Sequence, residues 1–294
     1  MPLKDILSAL VVVLIWGLNF VVIKVGLRDA PPLLLGALRF GLVAFPAILF
    51  VPRPRIPFRL VLAYALTISF GQFAFLFTAI HIGMPTGVAS LVLQVQAFFT
   101  LALSALVFGD RLGGHNLVGL AIAFGGLVLL ASASIGGAGV PLAGFLMTLG
   151  AALSWAVGNL VNKRIGQSDL VGLVVWSALA PVLPFLAASL LLEGPARIVD
   201  SLDHATVTLA LTVAYLAFCA TLIGFTLWGR LLSRHPAYKV APLTLMVPLV
   251  GLSSAWLILG EALSIRQVAG AVLVLAGLLV NVFGARWRRL LGAS

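Results

Sequence analysis

Stretches of about 20 residues, apolar on every face, recur along this chain from end to end, separated by short segments that hold most of its charges. Wound as a helix at about 1.5 Å per residue, a run of that length crosses roughly 30 Å, the thickness of a bilayer's hydrocarbon. Strands fit poorly. A membrane barrel alternates polar and apolar residues over about ten positions, whereas LVLAYALTISFGQFAFLFTAI is apolar all round. The pattern predicts an all-α membrane protein with ten transmembrane helices, over 6–26, 33–52, 58–80, 86–108, 115–134, 142–164, 170–192, 205–229, 238–259 and 266–284. No small-x-small cleavage site follows the first run, so it reads as helix 1 and not as a signal peptide.

Composition agrees. Of the 294 residues 62% are hydrophobic and 9% charged, with a mean hydropathy of +1.20, too little polar side chain to cover a water-soluble globule. A net charge of +10 would suggest nucleic acid in a soluble protein, but here Lys and Arg sit in loops, so the charge reads as topology and no nucleic-acid partner is expected. Ten crossings put both termini on one side. The loops and tails of that side hold thirteen Lys and Arg, against Arg28, Arg197 and Arg266 on the other, which places the termini in the cytoplasm. The single cysteine, Cys219, allows no disulfide framework within the chain.

The chain repeats itself. LIWGLNFVVIK aligns with LSWAVGNLVNK, setting Trp16 on Trp155 and Lys24 on Lys163, 139 residues on. Further along, Pro85 matches Pro236, Gly109-Asp110 matches Gly260-Glu261, and Gly119 and Gly126 match Gly270 and Gly277, now 151 residues on. The twelve-residue difference fits the longer loop EGPARIVDSLDHATV. Two five-helix units, 1–135 and 142–289, are expected. Each has an odd number of crossings, so the two copies run in opposite senses, an inverted repeat of the kind found in alternating-access transporters.

Trp16 and Trp155 lie near the middle of their helices, although membrane Trp usually collects at the interfaces. Trp16, Asn19, Phe20 and Lys24 share one helical face, as do Trp155, Asn159, Asn162 and Lys163. Each stripe runs from a mid-depth indole to a Lys about 12 Å nearer a surface, as the wall of a solute pathway would. By the inversion, Lys24 faces outward and Lys163 inward, in gating or charge-pairing roles; indoles filling core and lysines snorkelling to the interface is the plainer alternative. Gln72, Gln94 and Gln96 also fall at mid-depth, where an unpaired amide costs several kcal/mol. Gln94 and Gln96 are about 200° apart on an α-helix, so at most one is expected to face a cavity while the other bonds a neighbouring helix. Carboxamides can engage both ends of a zwitterion without carrying charge.

Arg39, well inside the second run, is expected in a gating or charge-pairing role and needs an anion or carbonyls there; a substrate carboxylate is one candidate, and snorkelling outward or bonding backbone carbonyls is the alternative. No Asp or Glu stands in the middle of a predicted helix, which removes the usual intramembrane proton carrier. Pro46, Pro181, Pro184, Pro242 and Pro248 should bend helices 2, 7 and 9. The repeated glycines of helices 5 and 10 read as packing strips.

At WGLNFVVIKVG, LRFGLVAFPAI, GMPTGVASLVLQVQAFFT, SWAVGNLVNK and GAVLVLAGLLVNVFGARWR the chain resembles the EamA family of the drug/metabolite transporter superfamily, across both halves. Its LRF, GMPTGVASLVLQVQAFFT and VAPLTLMVPLVG segments are most like those of the family's cysteine and O-acetylserine exporters. The resemblance implies a ten-helix basket in a bacterial inner membrane, exporting amino acids and related metabolites by alternating access through a central cavity. Cavities of that family are lined by helices 1, 3, 4, 6, 8 and 9, which by resemblance favours Trp16, Asn19, Gln72, Gln94, Trp155, Asn159 and Trp228 as substrate-binding residues. Aromatic amino acids, other metabolites or drugs are the alternative solutes. One departure is Met84-Pro85, which becomes the more basic His235-Pro236 in the second copy. No nucleophile with a base, paired acids or metal cluster appears, so neither catalysis nor a cofactor is expected. The expected partners are an amino-acid-like solute and the lipid bilayer, with the chain acting as a monomer.

Overall fold

A computed structural model describes residues 1–135, 140–166, 169–235 and 240–290, and at 133–135, 241 and 285–290 the backbone only. Among these residues ten helices are long and apolar enough to cross a membrane: α1 Leu3–Gly26, α2 Pro32–Leu49, α3 Phe58–His81, α4 Thr86–Phe108, α5 Gly114–Ser132, α6 Leu142–Ile165, α7 Leu170–Glu193, α8 Val207–Arg234, α9 Pro242–Leu259 and α10 Ile265–Gly284. No strand occurs among them. Each expected run became a helix, with ends that differ where local chemistry overrides hydropathy. α8 continues past residue 229 because its last turns are amphipathic, burying Leu231 while Arg230, Ser233 and Arg234 stay exposed. The segment expected as a long loop between α7 and α8 contains a short helix, Pro195–Asp203, with proline in its first turn and Ser201 Oγ donating to Asp29 O at 2.7 Å.

The prolines interrupt the expected helices. α2 stops at Ala44 and resumes after Pro46 as a single 3-10 turn, Ala47–Leu49. In α7 the α-helical hydrogen bonding breaks between Leu179 and Val182, at Pro181. α9 opens as 3-10 helix, Ala241–Met246, before the α-helix Val247–Leu259. Proline supplies no N–H and its ring crowds the preceding turn, which accounts for all three.

Two wide turns were not legible in the hydropathy. Ala65–Gly71 of α3 and Tyr215–Ile223 of α8, about 151 residues apart, are π-helical. Such turns leave carbonyls free of the regular ladder. Thr67 O accepts from Ser154 Oγ at 2.8 Å, and Ala220 O accepts from the Trp16 indole Nε1 at 3.0 Å. The third helix of each five-helix set is thereby tied to the first helix of the other set.

On the far side of the bundle α5 and α10 run antiparallel with their backbones in contact. A Cβ added to Gly126 would stand 2.7 Å from Gly270 O, and one on Gly119 2.7 Å from Gly277 O. Asn116 Nδ2 donates to Asn281 Oδ1 at 2.7 Å in the same seam. Lipid gives no hydrophobic drive to helix pairing, so close approach through glycine is what holds such a pair. Outward-facing side chains such as Leu106 and Ile265, 83% and 87% exposed, belong to the lipid surface.

Candidate functional site

Between the helices lies a cavity of about 340 Å³, the size of a pocket for a small organic molecule. Trp16, Asn19, Gln72, Gln94, Trp155, Asn159 and Trp228, expected there from the sequence, all line it, and so does Arg39. Its floor at Phe20, Leu76 and Ser90 stops about one to two helical turns short of the face opposite the N-terminus. In the other direction the lining reaches Asn162, Leu170, Gly229 and Leu232, in the terminal turns on the N-terminal face.

Three indoles dominate the wall. Trp16 sits 5.3 Å from Phe225 and 5.6 Å from Trp228 between ring centroids, in tilted pairs. Its N–H is spent on Ala220 O, whereas no hydrogen bond is made by the Trp155 indole among the described residues. Gln94 and Gln96 both line the cavity, against the expectation that at most one would. The cause is the 3-10 turn Leu93–Val95, which advances about 120° per residue and swings the two amides closer than an α-helix allows. Gln94 Nε2 donates to Thr244 O at 2.9 Å, while Gln96 Oε1 accepts from Asn159 Nδ2 at 2.8 Å, so both also bridge helices.

Arg39 is 1% exposed, having neither snorkelled to a surface nor found backbone carbonyls. Its Nε and Nη2 both donate to the Thr221 hydroxyl, at 3.2 and 2.9 Å, and its guanidinium lies 3.9 Å from the centroid of the Phe73 ring. Insertion of an Arg at such a depth costs about 2.5–3.5 kcal/mol, of which a desolvated ring contact returns about 2. Nη1 has no partner among the described residues, and neither do Asn19 Oδ1 and Asn162 Oδ1. No carboxylate lines the cavity among the described residues.

The two stripe lysines end outside it. Lys24 Nζ donates to Ile80 O at 3.2 Å, pairing with a carbonyl and not with a charge. Lys163 pairs with Asp110 Oδ2 at 2.6 Å and donates to Ser104 Oγ at 3.0 Å. The Lys163 hydrogen bond, then that of Ser104, hold the Asp110 carboxyl below the usual carboxylate range. At the opposite face Glu261 accepts from Thr86 N at 3.1 Å, Thr86 Oγ1 at 3.0 Å and Gly87 N at 3.2 Å, capping α4. Glu193 similarly accepts from Leu33 N and Leu34 N at the start of α2. A carboxylate suits both places, because the first N–H groups of a helix lack partners and its dipole favours negative charge.

Tyr64, Phe225 and Thr244 also line the cavity and were not singled out from the sequence. Tyr64 was within reach, since it stands eight residues before Gln72 on one helical face. Thr221, which aims Arg39, carries no local signal, for its partner is 182 residues away in the chain. Among the described residues no group of three His, Cys, Asp or Glu gathers that could hold a metal ion.

Comparison with known proteins agrees with this architecture. The EamA-like transporter family matches the chain twice, over residues 3–132 and 142–283. A protein of Salmonella typhimurium named a probable amino-acid metabolite efflux pump is 58% identical over 98% of both chains. One of the same name in Escherichia coli K12 is 55% identical, again over 98% of both. The E. coli K12 protein named uncharacterized inner membrane transporter YedA is 29% identical, over 96% of this chain and 91% of its own length. A crystal structure at 21% identity superposes with a TM-score of 0.66, covering 96% of this chain and 98% of the other, and is alike in fold.

Proposed function

Since this chain belongs to the EamA-like transporter family, we propose that it exports amino acids and related metabolites, of the cysteine and O-acetylserine type, across a bacterial inner membrane. The observation that carries the reading is the cavity itself. Midway through the bundle, one chain encloses space lined, among the described residues, by three indoles, several carboxamides and a single cation. Such a wall offers donors, acceptors and ring faces to a small zwitterion while carrying little charge of its own. Two relatives covering nearly all of the chain are named for efflux of amino-acid metabolites.

Transport proceeds by alternating access between two inverted units, 1–135 and 142–289. The termini face the cytoplasm in this reading, which the Lys and Arg bias supports, so the shape described here is open to the cytoplasm and closed to the outside. Solute would load from the cytoplasm among Trp16, Asn19, Gln72, Gln94, Trp155, Asn159 and Trp228. Without a carboxylate in the cavity, exchange or the gradient of the solute itself drives export, in place of a proton carried by a buried acid. The chain acts as a monomer, because its cavity needs no second copy to complete it.

Purified protein in liposomes should exchange labelled cysteine, O-acetylserine or other neutral amino acids. Trp16→Ala, which strips the ring contacts to Phe225 and Trp228, and Trp155→Ala should each cut flux about tenfold with the protein still folded. Preference for phenylalanine and tryptophan would favour the aromatic alternative, which the three indoles also suit. Absence of flux for every amino acid would end the substrate assignment.

A further inference from the structure

We propose that Arg39 is the carboxylate anchor of this cavity and therefore restricts its cargo to solutes with an anionic end, a step that rests on the export reading above. Three observations converge. First, among the described residues Arg39 is the one cationic side chain in the lining, and no Asp or Glu of the lining answers it. Buried arginine ordinarily has an acid, a phosphate or a set of carbonyls around its fork. Here two of its nitrogens crowd onto one neutral oxygen, that of Thr221, and Nη1 has no partner among the described residues.

Second, the guanidinium is held in place. Thr221 spends its own proton on Leu216 O at 2.8 Å, so its oxygen is fixed as an acceptor for Arg39. The Phe73 ring lies against the guanidinium at 3.9 Å from its centroid. A fork pinned on one edge by a hydroxyl and on one face by a ring has its remaining N–H groups preorganised for an incoming anion.

Third, complementary acceptors stand at the same depth. Arg39 lies seven residues from the α2 end at the face opposite the N-terminus, Asn19 seven from that end of α1, Gln94 eight from that of α4 and Gln72 nine from that of α3. At about 1.5 Å per residue all four sit roughly 10–14 Å below that face. Asn19 Oδ1 is buried without a partner. A cationic donor and an orphan amide oxygen in one layer match the carboxylate and ammonium of an α-amino acid. Asn162, whose Oδ1 is also unpartnered, lies near the N-terminal face instead and belongs to the mouth.

The test uses the full chain in liposomes, with exchange of labelled L-cysteine and L-phenylalanine competed by the same amino acid or by its carboxamide, which keeps the amine and loses the negative charge. For whichever is carried, the wild-type protein should take the carboxamide about tenfold more weakly or worse, the value of a charge-assisted hydrogen bond. Arg39→Gln should lose most flux of the acid and bring the two competitors together. Arg39→Lys, which keeps the charge and loses the fork, should retain the preference at reduced strength. Thr221 is a positioning residue: Thr221→Val should lower the acid-to-amide ratio, and Thr221→Ser should restore it, a pattern that mere loss of folded protein cannot give. Equal competition by acid and amide in the wild type, or an unchanged ratio in Arg39→Lys and Thr221→Val, overturns the anchor and leaves export standing. Wild-type protein that carries no amino acid removes the export reading, and the anchor with it.

Discussion

Asp110 and Glu261 occupy matching places, each directly after a glycine in left-handed conformation, Gly109 at φ 72° and Gly260 at φ 68°, yet they are put to different uses. Glu261 reaches across to the start of α4 and takes three hydrogen bonds from Thr86 and Gly87. Asp110 stays half exposed and pairs with Lys163. The face with Glu261 is the one where the cavity stops short, and the face with Asp110 is the one the cavity reaches. An acid that meets the unpaired N–H groups of a helix start acts as a clasp, whereas the same acid beside a solvated lysine contributes little. On the face where the cavity stops short, the start of α4 is thus docked onto the acid that follows α9. Pro236, the counterpart of Pro85, falls outside the described residues.

The largest effect should come from breaking the clasp. Glu261→Gln keeps one acceptor but loses the charge and a backbone N–H partner, and should lower stability by about 2 kcal/mol, read as a fall in the thermal midpoint of detergent-purified protein. An unchanged midpoint would mean that the closed face does not depend on this cap. A smaller effect is expected at Lys24, on the same face. Lys24→Met removes a bond to Ile80 O, whose oxygen also accepts from Gly83 N, so about 1 kcal/mol is at stake. Least of all should follow from Asp110→Asn on the open face, where the midpoint at neutral pH should barely move. The Asp110 carboxyl is held below its ordinary range. Its small stabilisation is therefore present above the ordinary carboxylate pKa near 4 and disappears as pH falls through the lowered value. A thermal midpoint followed through that acid range should fall slightly less in Asp110→Asn than in the wild type.

Much of the fold was written in local pattern. Apolar length set the ten helices, and the prolines of α2, α7 and α9 marked their breaks, since both depend on a few neighbouring residues and the solvent around them. The cavity residues at Trp16, Asn19, Trp155 and Asn159 showed themselves as polar or amphipathic groups at a depth where lipid will not take them. Gln96 did not, because its direction hangs on a 3-10 turn at Leu93–Val95 that hydropathy does not encode. Nor did the destinations of Lys24 and Lys163, which snorkelling length alone leaves open until a neighbouring carbonyl or acid is in place.

From sequence alone came the number and placing of the crossings, because a lipid solvent imposes its thickness and its intolerance of charge on each segment separately. Only the tertiary structure decided which polar atoms are spent and which remain. Trp16 gives its N–H to a carbonyl 204 residues away, and Arg39 gives two of its nitrogens to a hydroxyl 182 residues away. Such pairings join segments far apart in the chain, so which polar atoms are left over among the described residues is decided only once the whole bundle is folded.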